Sequence, residues 1–492
     1  MAELPQPSAS IATSVFETRD ARHEAGQGLR KTVPRSAHAA WEPPSNRVDP
    51  VDLLVRQGES RIQNLLPIRY ERMRASPFAF MRGSAIVMAS DLAHTVASGP
   101  YVQSCGDCHM ANFGAYASAD GIAVFDINDF DETCPAPFEW DIKRLATSLV
   151  LASGEAGAAD RQARHNAFLA ARTYQDEMAR LAPMSPLEIW SDRIDLAAAI
   201  ADFSDKHTRK GVRERLEARL ESARNHFGLV SFDKNTPSLR VKPPLVVRLP
   251  DEDETIHQAF ACYIATQPPE RAVLLSRYRL KDVLFKVVGV GSVGTYCAIG
   301  LFATADGETL LLQIKEAQES VLAAYCGGPH YDNQGQRVVE GQRLMQASSD
   351  RFLGWTHTTN TKRSRHAPDG SNRQFYVRRL KDSRLAAIGA DVAQEGLDDY
   401  AALCGRALAR AHARSGDVAE IAGYLGSSDS FAEAIADFAE AYAGQTRKDW
   451  EDFNAAIDAG RLSVTGETKD RKKSRGAGQG TKRRAGRGRS AS

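Results

Sequence analysis

The run Cys105-Gly106-Asp107-Cys108-His109-Met110-Ala111-Asn112, followed by Phe125-Asp126-Ile127-Asn128-Asp129-Phe130-Asp131-Glu132, is where the reading of this chain divides. An aspartate with an asparagine five positions later, then a short acidic strand, is the polar equipment of phosphoryl transfer. One Asp handles the attacking hydroxyl, while Asn and a second Asp hold magnesium. The same run contains Cys-x-x-Cys-His, the written form of a c-type haem attachment site. Haem attachment of that kind implies export, and the opening MAELPQPSASIATSVFETRD has no charged start followed by an apolar core. No second cysteine pair stands at zinc spacing, and Cys134 is isolated. Cys105 and Cys108 are therefore read as packing residues, and Asp107 and Asn112 as the chemistry.

The acidic strand supplies the metal candidates. On an extended segment Asp129 and Asp131 point to one face and Asp126 to the other. Ile122, Val124, Phe125, Ile127 and Phe130 frame these acids with apolar surface, which implies partial burial. Buried acids need a cation, and hard oxygen donors suit Mg²⁺. Asp129 with Asn112 is the favoured pair, Asp126 is the rival and Asp131 a further ligand.

Downstream, Gly289, Gly291 and Gly294 form a GxGxxG. A dinucleotide fingerprint needs a helix after the glycines, but TYCAIGLF (295–302) reads as a second strand. Glycines in a strand-turn-strand are how a kinase glycine-rich loop covers nucleotide phosphates. Lys315 closes the apolar strand Leu-Leu-Leu-Gln-Ile-Lys twenty-one residues after Gly294. There it would clamp phosphates, with Glu340 on the next helix as its expected partner.

Around these motifs the chain divides into five stretches. Residues 1–48, rich in Pro, Ser and Ala, read as an irregular arm. Residues 49–281 hold the Asp107 loop and a helical part, with helices from about Phe138 to Gly154 and over 160–182, 186–203 and 210–227. Residues 282–381 hold the glycine turn, the Lys315 strand, a helix over Arg337–Phe352 and a strand over Gln374–Leu380. Residues 382–460 return to helix. Residues 461–492 form a basic tail: ten Lys or Arg against two acids from 466 onward, so the rest is acidic against the total of +1. With no apolar residue larger than alanine after 465, this tail reads as disordered and suited to nucleic acid or anionic surfaces.

With 42% hydrophobic and 25% charged residues the composition is that of an ordinary globular protein. Apolar stretches such as Leu149–Ala152 and Leu310–Ile314 fall far short of the roughly 20 residues that span a bilayer. Seven cysteines, an odd number, make no disulfide framework, so a reducing cytoplasm is expected.

The segments SPFAFMRGSA, CGDCHMANFG, FDINDFDET, FEWDIKRLATSLV, VGVGSVGT, LLLQIKEAQESVL, GQRVVEGQRLMQASSDRFLGW and LARAHARSGD, in that order, resemble the bacterial domain-of-unknown-function 2252 family over about residues 30–450. That resemblance implies a place in the protein-kinase-like superfamily and an α+β, two-lobed, aminoglycoside-phosphotransferase-like fold with a mainly helical large lobe. Asp129 stands twelve residues before Asp141, a spacing similar to the acidic motif of such kinases. In ordinary kinases the glycine loop and lysine come first, whereas here Asp107 and Asp129 precede them. The helix Tyr400–Arg414 resembles the one before a catalytic loop, but Asp417 is followed at 422 by Ala instead of Asn. A circularly permuted kinase-like fold reconciles this order. The implied function is ATP- and Mg²⁺-dependent phosphotransfer to an unknown acceptor, small molecule or protein. The alternatives are an inactive nucleotide-binding pseudokinase and a nucleotidyl (AMP) transferase.

Overall fold

A computed structural model of the chain describes residues 16–118, 120–223, 229–233, 236–243, 246–248, 253–286, 293–358, 373–380 and 396–465. Gly289, Gly291 and the basic tail from 466 lie outside the described residues. The chain is mixed α+β with several separate sheets.

The chain opens with α1 (Arg19–Leu29), a 3-10 turn (Arg35–Ala39), α2 (Pro50–Glu59), α3 (Leu66–Arg74), α4 (Pro77–Gly83) and α5 (Ala85–Leu92). Next come β1 (Tyr101–Ser104), β2 (Phe113–Ala117), β3 (Ala123–Ile127) and β4 (Cys134–Pro137). Then follow α6 (Phe138–Glu155), α7 (Asp160–Leu181), α8 (Pro186–Ser191), β5 (Ile194–Asp195), α9 (Leu196–Ala201) and α10 (Lys206–Ala223). Strands β6 (Val230–Asp233), β7 (Thr236–Leu239) and β8 (Val246–Val247) lead to α11 (Asp253–Ala265) and α12 (Pro269–Leu275). Three long strands follow: β9 (Arg279–Lys286), β10 (Cys297–Ala303) and β11 (Thr309–Glu316). After them come α13 (Ala323–Cys326), α14 (Gln334–Met345), β12 (Gly354–His357) and β13 (Gln374–Arg379). The described chain closes on α15 (Leu397–Ala413), α16 (Val418–Leu425) and α17 (Ser430–Asp458).

The main sheet has the order β12-β13-β11-β10-β9-β8 and is antiparallel throughout. Alternate residues of its strands feed different clusters, as a period of two requires. Val283, Phe285, Ala298, Leu312 and Ile314 pack with α11 on one face, while Leu284, Ile299, Leu301 and Leu311 face the β6–β7 hairpin. The largest core joins α6, α7, α15 and α17 to the β2–β3 hairpin. Helix α6 is buried nearly all round, polar residues included.

Three expectations are corrected. The stretch 1–48 is not irregular where it is described: Thr18 caps α1, and α1 lies against α16. Small residues permit this close approach. A Cβ on Gly26 would stand 1.9 Å from the Glu420 carbonyl oxygen, and one on Gly423 would stand 2.1 Å from that of His23. The single helix expected over 186–203 is two, because Ile194 pairs with Phe125 as a third strand and Asp195 then caps α9. Helix α14 stops at Met345, short of Phe352, where Gln346 turns extended and donates from Nε2 to the Ile127 carbonyl at 2.7 Å.

Candidate active site

The Asp107 loop is held from below by α6. The backbone N–H groups of Cys105 and Gly106 donate to the two Asp141 carboxylate oxygens at 2.7 and 3.1 Å. The His412 Nε2 atom, from α15, lies 3.2 Å from the same carboxylate. Asp141 sits in the first turn of α6, where the helix dipole favours a negative charge. Gly106 has φ +77°, and a Cβ there would meet the Glu132 carbonyl oxygen at 2.3 Å, so the loop needs glycine at this point.

One turn along α6, the buried Arg144 donates from Nε to Asp107 Oδ1 at 2.8 Å, and its Nη2 reaches the same oxygen. Burial pushes the Asp107 carboxyl above its usual range, and the Arg144 guanidinium only partly offsets this. Asn112 donates from Nδ2 to the Asp107 carbonyl at 2.8 Å. Its own carbonyl accepts from Asn128 N–H at 2.7 Å, tying the loop to the acidic segment. His109 Nε2 lies 3.7 Å from Asp107 Oδ2. Burial, with Arg82 and Arg144 nearby, drives the imidazole well below its usual range, so this histidine is neutral near pH 7.

The acidic segment leaves β3 at Ile127, and beyond it Asp129 and Asp131 turn into the same cleft as Asp107 and Asn112. Asp131 N–H donates to Asp129 Oδ1 at 3.2 Å. From the main sheet, Lys315 Nζ forms an ion pair with Asp131 Oδ2 and lies 4.0 Å from Asp129 Oδ2. Tyr376, paired with Lys315 across β11 and β13, donates its hydroxyl to Asp131 Oδ1 at 2.8 Å. Burial alone would raise Asp131, but Lys315 and the Tyr376 hydroxyl outweigh it and hold the carboxyl at about 2. Asp129 moves the other way, raised by burial and by the charge of Asp131. Lys315 is 3% exposed; burial would lower it, yet the two carboxylates raise it instead.

Asp126 is not brought to this cleft. It is buried, accepting from Ile127 N–H at 2.9 Å and Ala347 N–H at 3.3 Å. Gly294 has φ +95°, and its carbonyl accepts from Ile62 N–H at 2.8 Å. The expected Lys315–Glu340 pair is replaced by Lys315 with Asp131 and Asp129. Helix α14 presents Arg337 to the acidic segment, donating to the carbonyls of Thr133, Asp131 and Gln318 at 2.6, 2.8 and 2.8 Å. Glu340, three residues on, accepts instead from Gln336 at 2.8 Å.

The cleft holds a cavity of about 90 Å³. Asp107, Asn112, Asp129 and Asp131 line it together with Arg61, Arg69 and Arg82. These arginines, and the roles of Arg144 and Asp141, were not read from the sequence. The available signal was local: Arg82 falls inside SPFAFMRGSA, and Arg144 follows Asp141 by three positions in the first turns of a helix.

The Cys-x-x-Cys-His run comes apart in three dimensions. Cys105, Cys108 and Asp141 offer ligand atoms within 4.8 Å of one another, but His109 is directed to Asp107. The Asp141 carboxylate is already taken up by two backbone N–H groups and His412. Burial pushes the Cys108 thiol up to about 11 and Cys105 well above its usual value, which disfavours the thiolates that metal ligation needs.

The family profile described as "Uncharacterized protein conserved in bacteria (DUF2252)" matches residues 61–456. No curated protein and no solved structure matches the chain. Among the described residues, no helix is long and apolar enough to cross a membrane.

Proposed function

This chain belongs to the DUF2252 family, and we propose that it is an ATP- and Mg²⁺-dependent phosphotransferase with a circularly permuted, two-lobed kinase-like fold. One observation carries the reading. Asp107, Asn112, Asp129 and Asp131 share a cleft, and Lys315, 184 residues beyond Asp131, closes onto it. The main sheet supports the same reading: the antiparallel pair β9 and β10 with Gly294 just before its second strand, a third strand bearing the lysine, then helices and two further strands. That is the order of parts in a kinase small lobe. Here the catalytic loop and acidic segment come before it in the chain, which is the basis for permutation.

Asn112 and Asp129 are the oxygen donors for magnesium, with Asp131 beside them. The donor set fits a hard divalent cation, since Asp129 and Asp131 repel each other and Asp129 is raised by its neighbour's charge. Bound magnesium would neutralise phosphate charge. Lys315 would clamp the nucleotide phosphates. Both Arg144 bonds fall on Asp107 Oδ1, which leaves Oδ2 to accept the hydroxyl proton of the acceptor. Asp126, outside this cleft, has no part in this scheme. Calorimetric titration with Mg-ATP tests the proposal; no binding at millimolar nucleotide would sink it.

A second reading, an inactive nucleotide-binding module, is favoured by the engagement of Lys315 with Asp131, which a phosphate would have to displace. It expects nucleotide binding and no turnover with any acceptor. Mass spectrometry of candidate acceptors separates the outcomes: about 80 Da for phosphoryl transfer, about 329 Da for nucleotidyl (AMP) transfer and no gain for an inactive protein.

A further inference from the structure

The arginines that line the cleft are more than a solvated rim. Arg69, on α3, is 1% exposed. Its Nη2 donates to Gln57 Oε1 at 2.7 Å and to the Gly83 carbonyl at 2.6 Å. Its Nε and Nη1, although buried, meet no acceptor among the described residues. Arg82, at the end of α4, likewise has a buried Nε with no partner there, and its guanidinium lies 5.8 Å from the centre of the Phe78 ring. Arg61 stands beside them and donates from Nη1 to the Val293 carbonyl at 2.7 Å. All three line the cleft that holds Asp107.

A buried guanidinium with idle donors is costly unless something compensates it, because its hydration is lost. Burial and the Arg61 charge push Arg69 well below its usual range, and Tyr70 and Glu132 oppose this only in part. Burial also lowers Arg82, with Asp107 opposing that shift. An oxyanion between these side chains would satisfy the idle donors and screen the like charges together.

We propose that Arg69 and Arg82, with Arg61, form an oxyanion subsite for a phosphate-type group, and that this group belongs to the acceptor, making the acceptor a phosphorylated small molecule. The word acceptor rests on the phosphotransferase reading; the anion subsite does not. A phosphate-type group in this cleft has two sources, the nucleotide and the acceptor. The acceptor is favoured because Arg82 lines the same cleft as Asp107, whose Oδ2 is assigned to the acceptor hydroxyl, whereas the nucleotide phosphates have Lys315; Arg61, against which Gly294 packs, stands toward the nucleotide.

The test titrates the full chain separately with inorganic phosphate and with Mg-ADP, for the native protein, Arg82→Gln and Arg69→Lys. Arg82→Gln removes a half-buried charge and Arg69→Lys keeps the charge while removing the idle donors, so at least one variant remains folded. The expected result is phosphate binding weakened tenfold or more in each folded variant, with Mg-ADP affinity unchanged within twofold. A parallel loss of Mg-ADP affinity would assign the arginines to the nucleotide and overturn the acceptor assignment. Phosphate binding that is absent in the native protein, or insensitive to both substitutions, would overturn the subsite while leaving the phosphotransferase reading untouched. Arginine-dependent phosphate binding without any Mg-ADP binding would uphold the subsite and remove the reading of its occupant as an acceptor.

Discussion

Lys315 and Asp131, separated by 184 residues, form an ion pair that ties the main sheet to the acidic segment. The pair is asymmetric: the ammonium is almost wholly buried, while the Asp131 side chain keeps 26% of its surface. Removing Asp131 leaves the buried Lys315 only the more distant Asp129 at 4.0 Å, and removing Lys315 leaves two neighbouring carboxylates without their ammonium partner. Lys315→Met and Asp131→Asn are each expected to destabilise the fold by about 3 kcal/mol. The double variant should lose less than the sum, with a coupling of about 1–3 kcal/mol in urea unfolding. Additive losses would mean that the two side chains act independently.

Two aspartates compete for the role of acceptor base, and the structure gives them different work. Asp107 lines the cleft, whereas Asp417 caps α16, accepting from Ala419 and Glu420 N–H, and pairs with Arg22 at 2.8 Å. Asp107→Asn should lower phosphotransfer by about 10²–10⁴-fold while Mg-ADP still binds. Asp417→Ala should keep the activity and cost about 1 kcal/mol through loss of the cap. Steady-state rates and thermal melts of the two variants decide this, and a reversed pattern would move the site to the 417 loop.

The close docking of α1 rests on Gly26. Gly26→Ala drives a methyl group toward the Glu420 carbonyl, and overpacking of this kind costs about 1–3 kcal/mol. Gly28, two residues on in the same helix, has open space around it. Gly28→Ala should therefore be neutral, or stabilise by up to about 1 kcal/mol through helix propensity. Chemical denaturation of both variants provides the check; equal effects would show that the contact with α16 does not constrain α1.

Sequence reading reached those parts of the site that travel as local motifs. Asp107 with Asn112, the Asp129–Asp131 pair and Lys315 each carry a short spacing signature, and all of them meet at the cleft. What holds them did not show. Helix α6 announces itself by apolar spacing, yet its buried Asp141 and Arg144 support the Asp107 loop, and periodicity gives no sign of buried polar work. The break after Ser191 depends on Ile194 finding Phe125, a tertiary pairing that overrides a helical pattern. The position of Glu340 after the lysine strand predicts a pair with Lys315, but Arg337 docks that helix and the acidic segment itself supplies the lysine's partners. The Pro, Ser and Ala of residues 1–48 suggest an irregular arm, although a small residue, Gly26, is what lets α1 dock.

His38, in the 3-10 turn of that N-terminal region, gives the fold a predicted sensitivity to acid. Its side chain is fully buried, with Nε2 2.7 Å from the Tyr424 hydroxyl and the Phe431 ring centre 5.6 Å away. Glu139 lies 3.7 Å from it. Burial, assisted by the Lys143 charge, lowers the imidazole to about 3 in the folded state. Unfolded, it titrates near 6.5. Because the folded value is the lower one, protons bind the unfolded chain first as the pH falls. The stability His38 allows is therefore complete above about pH 6.5 and is lost progressively toward pH 3. By pH 4 the loss from this group reaches about 3 kcal/mol at most. The variant His38→Gln keeps a polar partner for Tyr424 and cannot take up a proton. The gap between the two proteins in urea unfolding should thus narrow as the pH drops from 6.5 to 4. Glu132, raised to about 6 chiefly by burial, titrates in the same window but in both proteins, so it cancels from the difference. Parallel stability curves across that window would show that His38 is not the acid-sensitive group.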